Sequence, residues 1–169
     1  MRNQSEIRSI EAGFTLIELL IVMSVILILM TLAVPAMQKV NIKAHQTSAV
    51  QSLRVLSSAE GEYNGAYPQH GYACTLAQLG GNASAGPPTA EAAEIIGDDL
   101  VGGNKAGYTF TITCGGKATA NNQDQYSSFS ITAVPNAVGK SGVLGYCTDG
   151  DGLIRSDPKG GTNCTDLVQ

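Results

Sequence analysis

Hydrophobic residues are concentrated in one uninterrupted stretch near the start of the chain. The segment 14–37, FTLIELLIVMSVILILMTLAVPAM, contains a single charged residue, Glu18. At ~1.5 Å per residue, a helix of this length crosses a ~30 Å hydrocarbon core with some tilt. The stretch exceeds the apolar region of a cleaved secretory signal peptide, which is ~7–15 residues long. The pattern therefore predicts a membrane-spanning helix over 14–37 that stays in the protein.

The helical pattern continues beyond this segment as a single apolar stripe. Steps of three and four residues connect the members of the stripe, which are Ile42, His45, Ala49, Leu53, Leu56, Ala59 and Tyr63. This spacing predicts that the helix continues over 38–64 as an amphipathic half that packs on a soluble head. His45 is interpreted as a partly buried packing residue rather than a ligand. Pro35 lacks a backbone N–H, so the helix is expected to bend or melt locally there.

The remaining segment, 65–169, has the pattern of a small β-rich head. Glycine and proline punctuate a connector over 65–107, in which a short helix is expected around Thr89–Leu100. Apolar and hydroxyl-bearing residues then alternate, which predicts strands at 108–113, 128–133, 143–148 and 153–155. Such strands form an antiparallel sheet with one face on the helix and the other toward solvent. The predicted fold class is therefore α+β, a long N-terminal helix packed on a small antiparallel sheet.

Composition and charge argue against several classes of protein. The 169 residues carry a net charge of −4, whereas a nucleic-acid-binding protein normally has a basic footprint. The sequence DGDGL at 149–153 lacks the third acidic ligand and the distal glutamate of an EF-hand. Asp149 and Asp151 are thus interpreted as turn residues, with a calcium site as the alternative. No residue pattern indicates catalysis, so neither an enzyme nor a cofactor is expected.

Glu18 is the unusual residue of the apolar segment. A carboxylate within a membrane helix is unfavourable unless it is paired, and no lysine or arginine lies between Arg8 and Lys39. Two explanations are open at this point. The side chain reaches the membrane interface, or it pairs with a positive charge that processing creates or another subunit supplies.

Residues 13–20, GFTLIELL, resemble the cleavage and methylation motif of type IV pilins and the related type II secretion pseudopilins. The resemblance is greatest to type IVa pilins. It implies a leader peptide over 1–13, which a prepilin peptidase cuts between Gly13 and Phe14 before N-methylating Phe14. It also implies the type IV pilin fold, with a disulfide-bonded C-terminal loop in the head.

The same resemblance implies roles for two residues in assembly. Once the leader is removed, the Phe14 amine is a cation that can pair with Glu18 of a neighbouring subunit, and Pro35 occupies the position of a proline that loosens the helix in type IVa pilins. The expected partners are prepilin peptidase, the inner-membrane assembly machinery, the membrane before assembly, and other copies of this chain in a helical polymer. The expected location is the bacterial inner membrane and then an extracellular filament.

Four cysteines lie on the translocated side of the predicted membrane helix, at Cys74, Cys114, Cys147 and Cys164. An oxidising compartment favours disulfides over free thiols, and four cysteines permit three pairings. As in many type IVa pilins, the resemblance implies a Cys147–Cys164 bridge that closes the C-terminal loop. Cys74 and Cys114 then form the second pair.

These observations lead to one expected function and two alternatives. The expected function is that of a structural subunit, the major pilin of a type IV pilus. A pseudopilin of a type II secretion system, or a minor pilin that primes assembly, is the first alternative. A membrane-anchored binding or enzymatic domain with an accidental motif is the second. The sequence does not indicate what the pilus does, whether adhesion, twitching motility, DNA uptake or electron transfer.

Overall fold

A computed structural model describes residues 13–81, 86–120 and 122–168, apart from the side chains of residues 32–36 and 120. By its internal contacts the chain divides into an N-terminal unit, Met1–Met37, and a head unit, Gln38–Gln169. The first helix, α1, has the bounds Leu16–Ala66. All but Gly13 of the predicted leader peptide lies outside the described residues.

In the N-terminal unit, α1 carries exposed apolar side chains on every side. Among the described residues, no helix combines the length and apolar character needed to cross a membrane. The membrane-spanning segment predicted over 14–37 stays a prediction.

In the head unit, the apolar stripe of α1 forms one side of the core. Ala49, Leu53, Leu56, Ala59 and Tyr63 are all buried, whereas Ile42 and His45 at the start of the stripe are half-buried. The amphipathic pattern predicted from the steps of three and four residues is thus confirmed.

The other side of the core is a six-stranded antiparallel sheet in which each strand pairs with the next along the chain. Its strands are β1 (Asn104–Lys105), β2 (Tyr108–Ala120), β3 (Gln123–Pro135), β4 (Gly145–Asp149), β5 (Arg155–Asp157) and β6 (Asp166–Leu167). Ile112 pairs with Ile131, and both side chains pack into the core with Leu53. The head thus has a long helix packed on an antiparallel sheet, and it contains two disulfides. This architecture confirms the predicted α+β fold class.

β2 and β3 are much longer than predicted, at 13 residues each. Beyond Cys114 the two strands continue as a polar hairpin in which Lys117 pairs with Tyr126, and Thr119 with Asp124. The Lys117 Nζ lies 2.8 Å from an Asp124 carboxylate oxygen. Because most side chains of this hairpin are exposed, they lack the apolar alternation from which half-buried strands are predicted.

The helix predicted around Thr89–Leu100 is wrong. The part of the connector that the structure describes, which leaves out 82–85, instead contains two four-residue helices, α2 (Leu76–Leu79) and α3 (Asp98–Val101). Between them the backbone wraps around the end of α2, since the Ala93 N–H donates to the Gln78 carbonyl at 2.8 Å and the Ile95 N–H to the Leu79 carbonyl at 2.8 Å. Hydrogen bonds to a neighbouring segment replace the intrahelical ones that helix-forming residues would make in isolation.

Candidate processing and assembly site

The predicted cleavage junction is an exposed, non-helical segment. Gly13, Phe14 and Thr15 precede the first helical residue, Leu16, and Phe14 is 80% exposed. Apart from its two neighbours in the chain, no described residue has an atom within 4 Å of the place where a Cβ on Gly13 would be. The described fold therefore does not require glycine at residue 13, so a requirement for glycine there would come from a partner such as a peptidase.

Thr15 caps the start of α1. Its hydroxyl oxygen accepts a hydrogen bond from the Glu18 N–H at 3.3 Å, and its carbonyl accepts one from the Leu19 N–H at 3.3 Å. A threonine in this position satisfies one of the N–H groups that a helix leaves unpaired at its N-terminus. Glu18, in the first turn, also benefits from the positive end of the helix dipole.

Glu18 is an exposed carboxylate surrounded by apolar side chains. Leu16 is 81% exposed and Leu19 is 56% exposed, so the surface around the carboxylate is hydrocarbon. No lysine or arginine of the described residues forms an ion pair with it. If this surface becomes buried, the carboxylate needs a cation from elsewhere.

The exposed apolar surface continues along the N-terminal unit. Large apolar side chains from Phe14 to Met30 are between 43% and 81% exposed. The Ser24 and Thr31 hydroxyls donate hydrogen bonds to carbonyls of their own helix, Ser24 to Ile21 at 2.8 Å and Thr31 to Ile28 at 2.7 Å. An apolar surface of this extent normally marks contact with a membrane or with other protein molecules.

Pro35 lies within the bounds of α1. Its side chain is outside the described part of the chain, as are those of its neighbours over 32–36. The backbone is helical on both sides of Pro35 and through it, so the structure shows no local melting there. The predicted bending at this residue and its role in assembly stay predictions.

The four cysteines form two disulfides in the head. Cys74 is bonded to Cys114, with Cα atoms 5.2 Å apart, and Cys147 to Cys164, with Cα atoms 6.0 Å apart. These are the two pairs that the resemblance implies. The first attaches the connector to β2, and the second attaches the C-terminal segment to β4.

Asp149 and Asp151 both face one guanidinium group. Arg155 Nη1 lies 3.3 Å from an Asp149 carboxylate oxygen, and Arg155 Nη2 pairs with Asp151. The hydrogen bond from Arg155 is the main reason that the pKa of Asp151 is lowered to about 2. Asp151 also accepts a hydrogen bond from the Leu153 N–H at 2.8 Å, which supports its interpretation as a turn residue.

Glu60 is a residue of the head that is not among the predicted site residues. It is fully buried on α1, and its Oε2 accepts a hydrogen bond from the Ala73 N–H at 2.9 Å. Its Oε1 is buried without a hydrogen-bond partner among the described residues. Burial raises the pKa of Glu60 to about 7, although the bond from Ala73 acts in the opposite direction. Because Ala73 precedes Cys74, this carboxyl group and the first disulfide hold the same part of the connector.

Removal of either disulfide is expected to destabilise the head. In the chain-entropy model, a loop of 17 residues contributes about 3 kcal/mol and one of 40 residues about 4 kcal/mol. The double variants Cys147→Ser/Cys164→Ser and Cys74→Ser/Cys114→Ser should therefore unfold at lower urea concentration, the second more than the first. Urea unfolding followed by circular dichroism measures this. An unchanged midpoint in both double variants would contradict the structural role of the bridges.

Comparison with known proteins identifies one family signature. Residues 8–34 match the prokaryotic N-terminal methylation motif. No curated protein and no solved structure matches the chain significantly. The match covers the cleavage junction, the Thr15 cap and Glu18, at the start of the exposed apolar helix. This chain thus carries the prepilin-type signature of the type IV pilins and pseudopilins.

Proposed function

We propose that this chain is the major structural subunit of a type IV pilus. The observation that carries the proposal is the methylation motif over 8–34, with its cleavage junction exposed directly before an apolar helix. Such a helix first suits a lipid bilayer and then the core of a polymer, because both environments cover its apolar surface. The proposed role is structural rather than enzymatic and uses no cofactor.

The proposed sequence of events begins at the inner membrane. The chain inserts through its N-terminal helix, a prepilin peptidase removes 1–13 on the cytoplasmic side, and the new Phe14 amine is methylated. The assembly machinery then transfers the subunit into a growing filament that extends outside the cell. In the filament, the Phe14 amine of one subunit pairs with Glu18 of its neighbour, which sets the axial register between the two helices.

Mature subunits are expected to begin at N-methylated Phe14. Peptide mass spectrometry of the purified protein tests this directly. Gly13→Ala should still be processed in part, whereas Gly13→Leu should accumulate as the uncut precursor, because a peptidase site that selects glycine excludes a bulky side chain. A filament subunit that retains 1–13 would contradict the proposal.

Imaging of sheared surface filaments, with mass spectrometry of their main component, tests the major-pilin assignment. The expected result is that this chain is the most abundant protein of the filaments and that its deletion removes them. If the chain is instead a minor component, it is a priming subunit. If deletion abolishes protein secretion and leaves surface filaments intact, the chain is a pseudopilin.

A further inference from the structure

One cavity of the head is not used by the proposed function. It has a volume of about 270 Å³ and is lined by three tyrosines, Tyr63, Tyr72 and Tyr126, together with polar side chains. We call it the tyrosine cavity. It lies between the end of α1, the connector and the polar hairpin of β2 and β3. Aromatic rings with a few convergent polar groups are typical of ligand sites in proteins.

The walls of the tyrosine cavity are held in place by backbone contacts. Gly71 pairs with Tyr126 in a parallel bridge, where the Tyr72 N–H donates to the Tyr126 carbonyl at 3.1 Å and the Tyr126 N–H donates to the His70 carbonyl at 3.0 Å. Gly71 has a φ of +76°, and a Cβ there would collide with the Tyr126 carbonyl. Glycine is therefore required for the connector to approach β3 this closely.

Two of the lining tyrosines are also fixed by their side chains. The Tyr63 hydroxyl donates to the Ala90 carbonyl at 2.7 Å, and the Tyr72 ring packs on Phe129 with ring centroids 4.8 Å apart. The cavity is thus formed before any ligand binds, which reduces the entropy lost on binding.

The charge of the lining favours a neutral ligand. Asp124 is the acidic residue of the lining, and it is paired with Lys117 at 2.8 Å and with the Thr119 hydroxyl at 2.8 Å. Among the residues that the structure describes, no lysine or arginine lines the cavity. The nearby Lys117 is already paired with Asp124, so a phosphate-bearing ligand, including a nucleic acid, would have to compete with that carboxylate for the cation, although aromatic rings alone could stack on its bases.

The polar groups of the lining match a ligand with several hydroxyls. The amides of Gln78 and Gln123 and the imidazole of His70 also line the cavity. The Gln78 side-chain oxygen already accepts from the Cys74 N–H at 2.7 Å, which leaves its NH₂ group as a donor. Amides and imidazoles both donate and accept hydrogen bonds, as hydroxyl groups do.

We propose that the tyrosine cavity binds one ring of a neutral saccharide. The apolar C–H face of the ring packs on tyrosine, and its hydroxyls bond to Gln78, Gln123 and His70. The volume lies just below the ~300 Å³ at which sites for drug-sized ligands begin, so it suits a single ring rather than an oligosaccharide. The inference does not depend on whether the chain forms a major pilus, a minor component or a secretion filament.

Saturation-transfer NMR on the full-length protein in detergent tests this proposal. The probes are the methyl glycosides of glucose, galactose, mannose and N-acetylglucosamine, each at millimolar concentration. At least one glycoside should receive saturation. Gln123→Ala, at an exposed position, should weaken its binding about threefold to tenfold through the lost hydrogen bond. Tyr126→Ala, which removes a ring and keeps the backbone bridge, should weaken it further.

The matched control is Gln51→Ala, an exposed glutamine of α1 outside the cavity, which should bind as the unsubstituted protein does. Urea unfolding of each variant shows that it is folded. The proposal is overturned if none of the four glycosides receives saturation. It is also overturned if binding is equal in Gln123→Ala and Gln51→Ala, or if inorganic phosphate or a short single-stranded DNA competes for the cavity as well as the glycoside does.

Discussion

Glu18→Ala is expected to abolish surface filaments while leaving processed protein in the inner membrane. The substitution removes a carboxylate from the apolar surface around Leu16 and Leu19, so insertion into lipid should be as good or better. The filament, however, loses the partner of the Phe14 amine in every subunit. An unpaired charge in an apolar core costs about 3–5 kcal/mol, and this cost recurs at each step of polymerisation.

The measurement compares membrane levels of processed protein with the number and length of surface filaments. Glu62→Ala is the matched control, because it removes an exposed carboxylate from the head part of the same helix. Normal filaments in Glu18→Ala would refute the pairing. Absence of the processed protein would show that Glu18 acts earlier than assembly.

The amphipathic half of α1 and the start of the β-hairpin could be predicted because local pattern and burial agree there. Leu53 and Leu56 follow the helical period, and Phe110 and Ile112 alternate with threonines, so each pattern shows which face is buried. The polar end of the hairpin lacks that signal. Its pairing is set by the register that the buried part of β2 and β3 has already established.

The connector shows where local propensity fails. Ala90–Ile96 contains helix-forming residues, but the chain there folds against α2 and Glu94 has a φ of +56°. Such a conformation depends on the neighbouring α2 segment, and the connector itself is held to β2 by the Cys74–Cys114 bridge. None of this can be read from a window of the sequence.

The candidate site differs from the connector because its signal is a contiguous motif, which residues 8–34 match. The same motif also contains a signal for the start of the helix. Thr15 followed three residues later by Glu18 is the pattern of a helix N-cap, and the structure places Thr15 at that position. The motif therefore also defines where the helix begins.

Glu60 also had a signal in the sequence. Ala49, Leu53, Leu56, Glu60 and Tyr63 are separated by alternating steps of four and three, so Glu60 occupies a core position of the stripe.

We expect the stability of the head to fall as the pH rises from about 4.5 to about 7. The pKa of Glu60 is about 7 in the folded chain, whereas in the unfolded chain it takes its ordinary value of 4.5. Between these two pH values Glu60 is therefore protonated in the folded state and ionised in the unfolded state.

The shift from 4.5 to about 7 corresponds to a loss of roughly 3 kcal/mol across that interval, since each pKa unit is worth ~1.4 kcal/mol. Glu60→Gln keeps an oxygen for the Ala73 N–H and cannot ionise. The variant should therefore match the unsubstituted protein near pH 4.5 and be more stable above pH 7 by up to about that amount.

Urea unfolding at a series of pH values, followed by circular dichroism, gives the difference between Glu60→Gln and the unsubstituted protein. Glu62→Gln, an exposed neighbour on α1, is the control for loss of a negative charge from the head and should leave the pH dependence unchanged.

Other carboxylates act in the opposite direction, because the pKa values of Asp124, Asp151 and Asp157 are lowered by their hydrogen bonds. These three aspartates are present in the unsubstituted protein and in both variants, so their contributions to the pH dependence cancel when the stabilities are compared. A stability difference between Glu60→Gln and the unsubstituted protein that stays constant from pH 4 to pH 8 would show that Glu60 does not change its ionisation over this range.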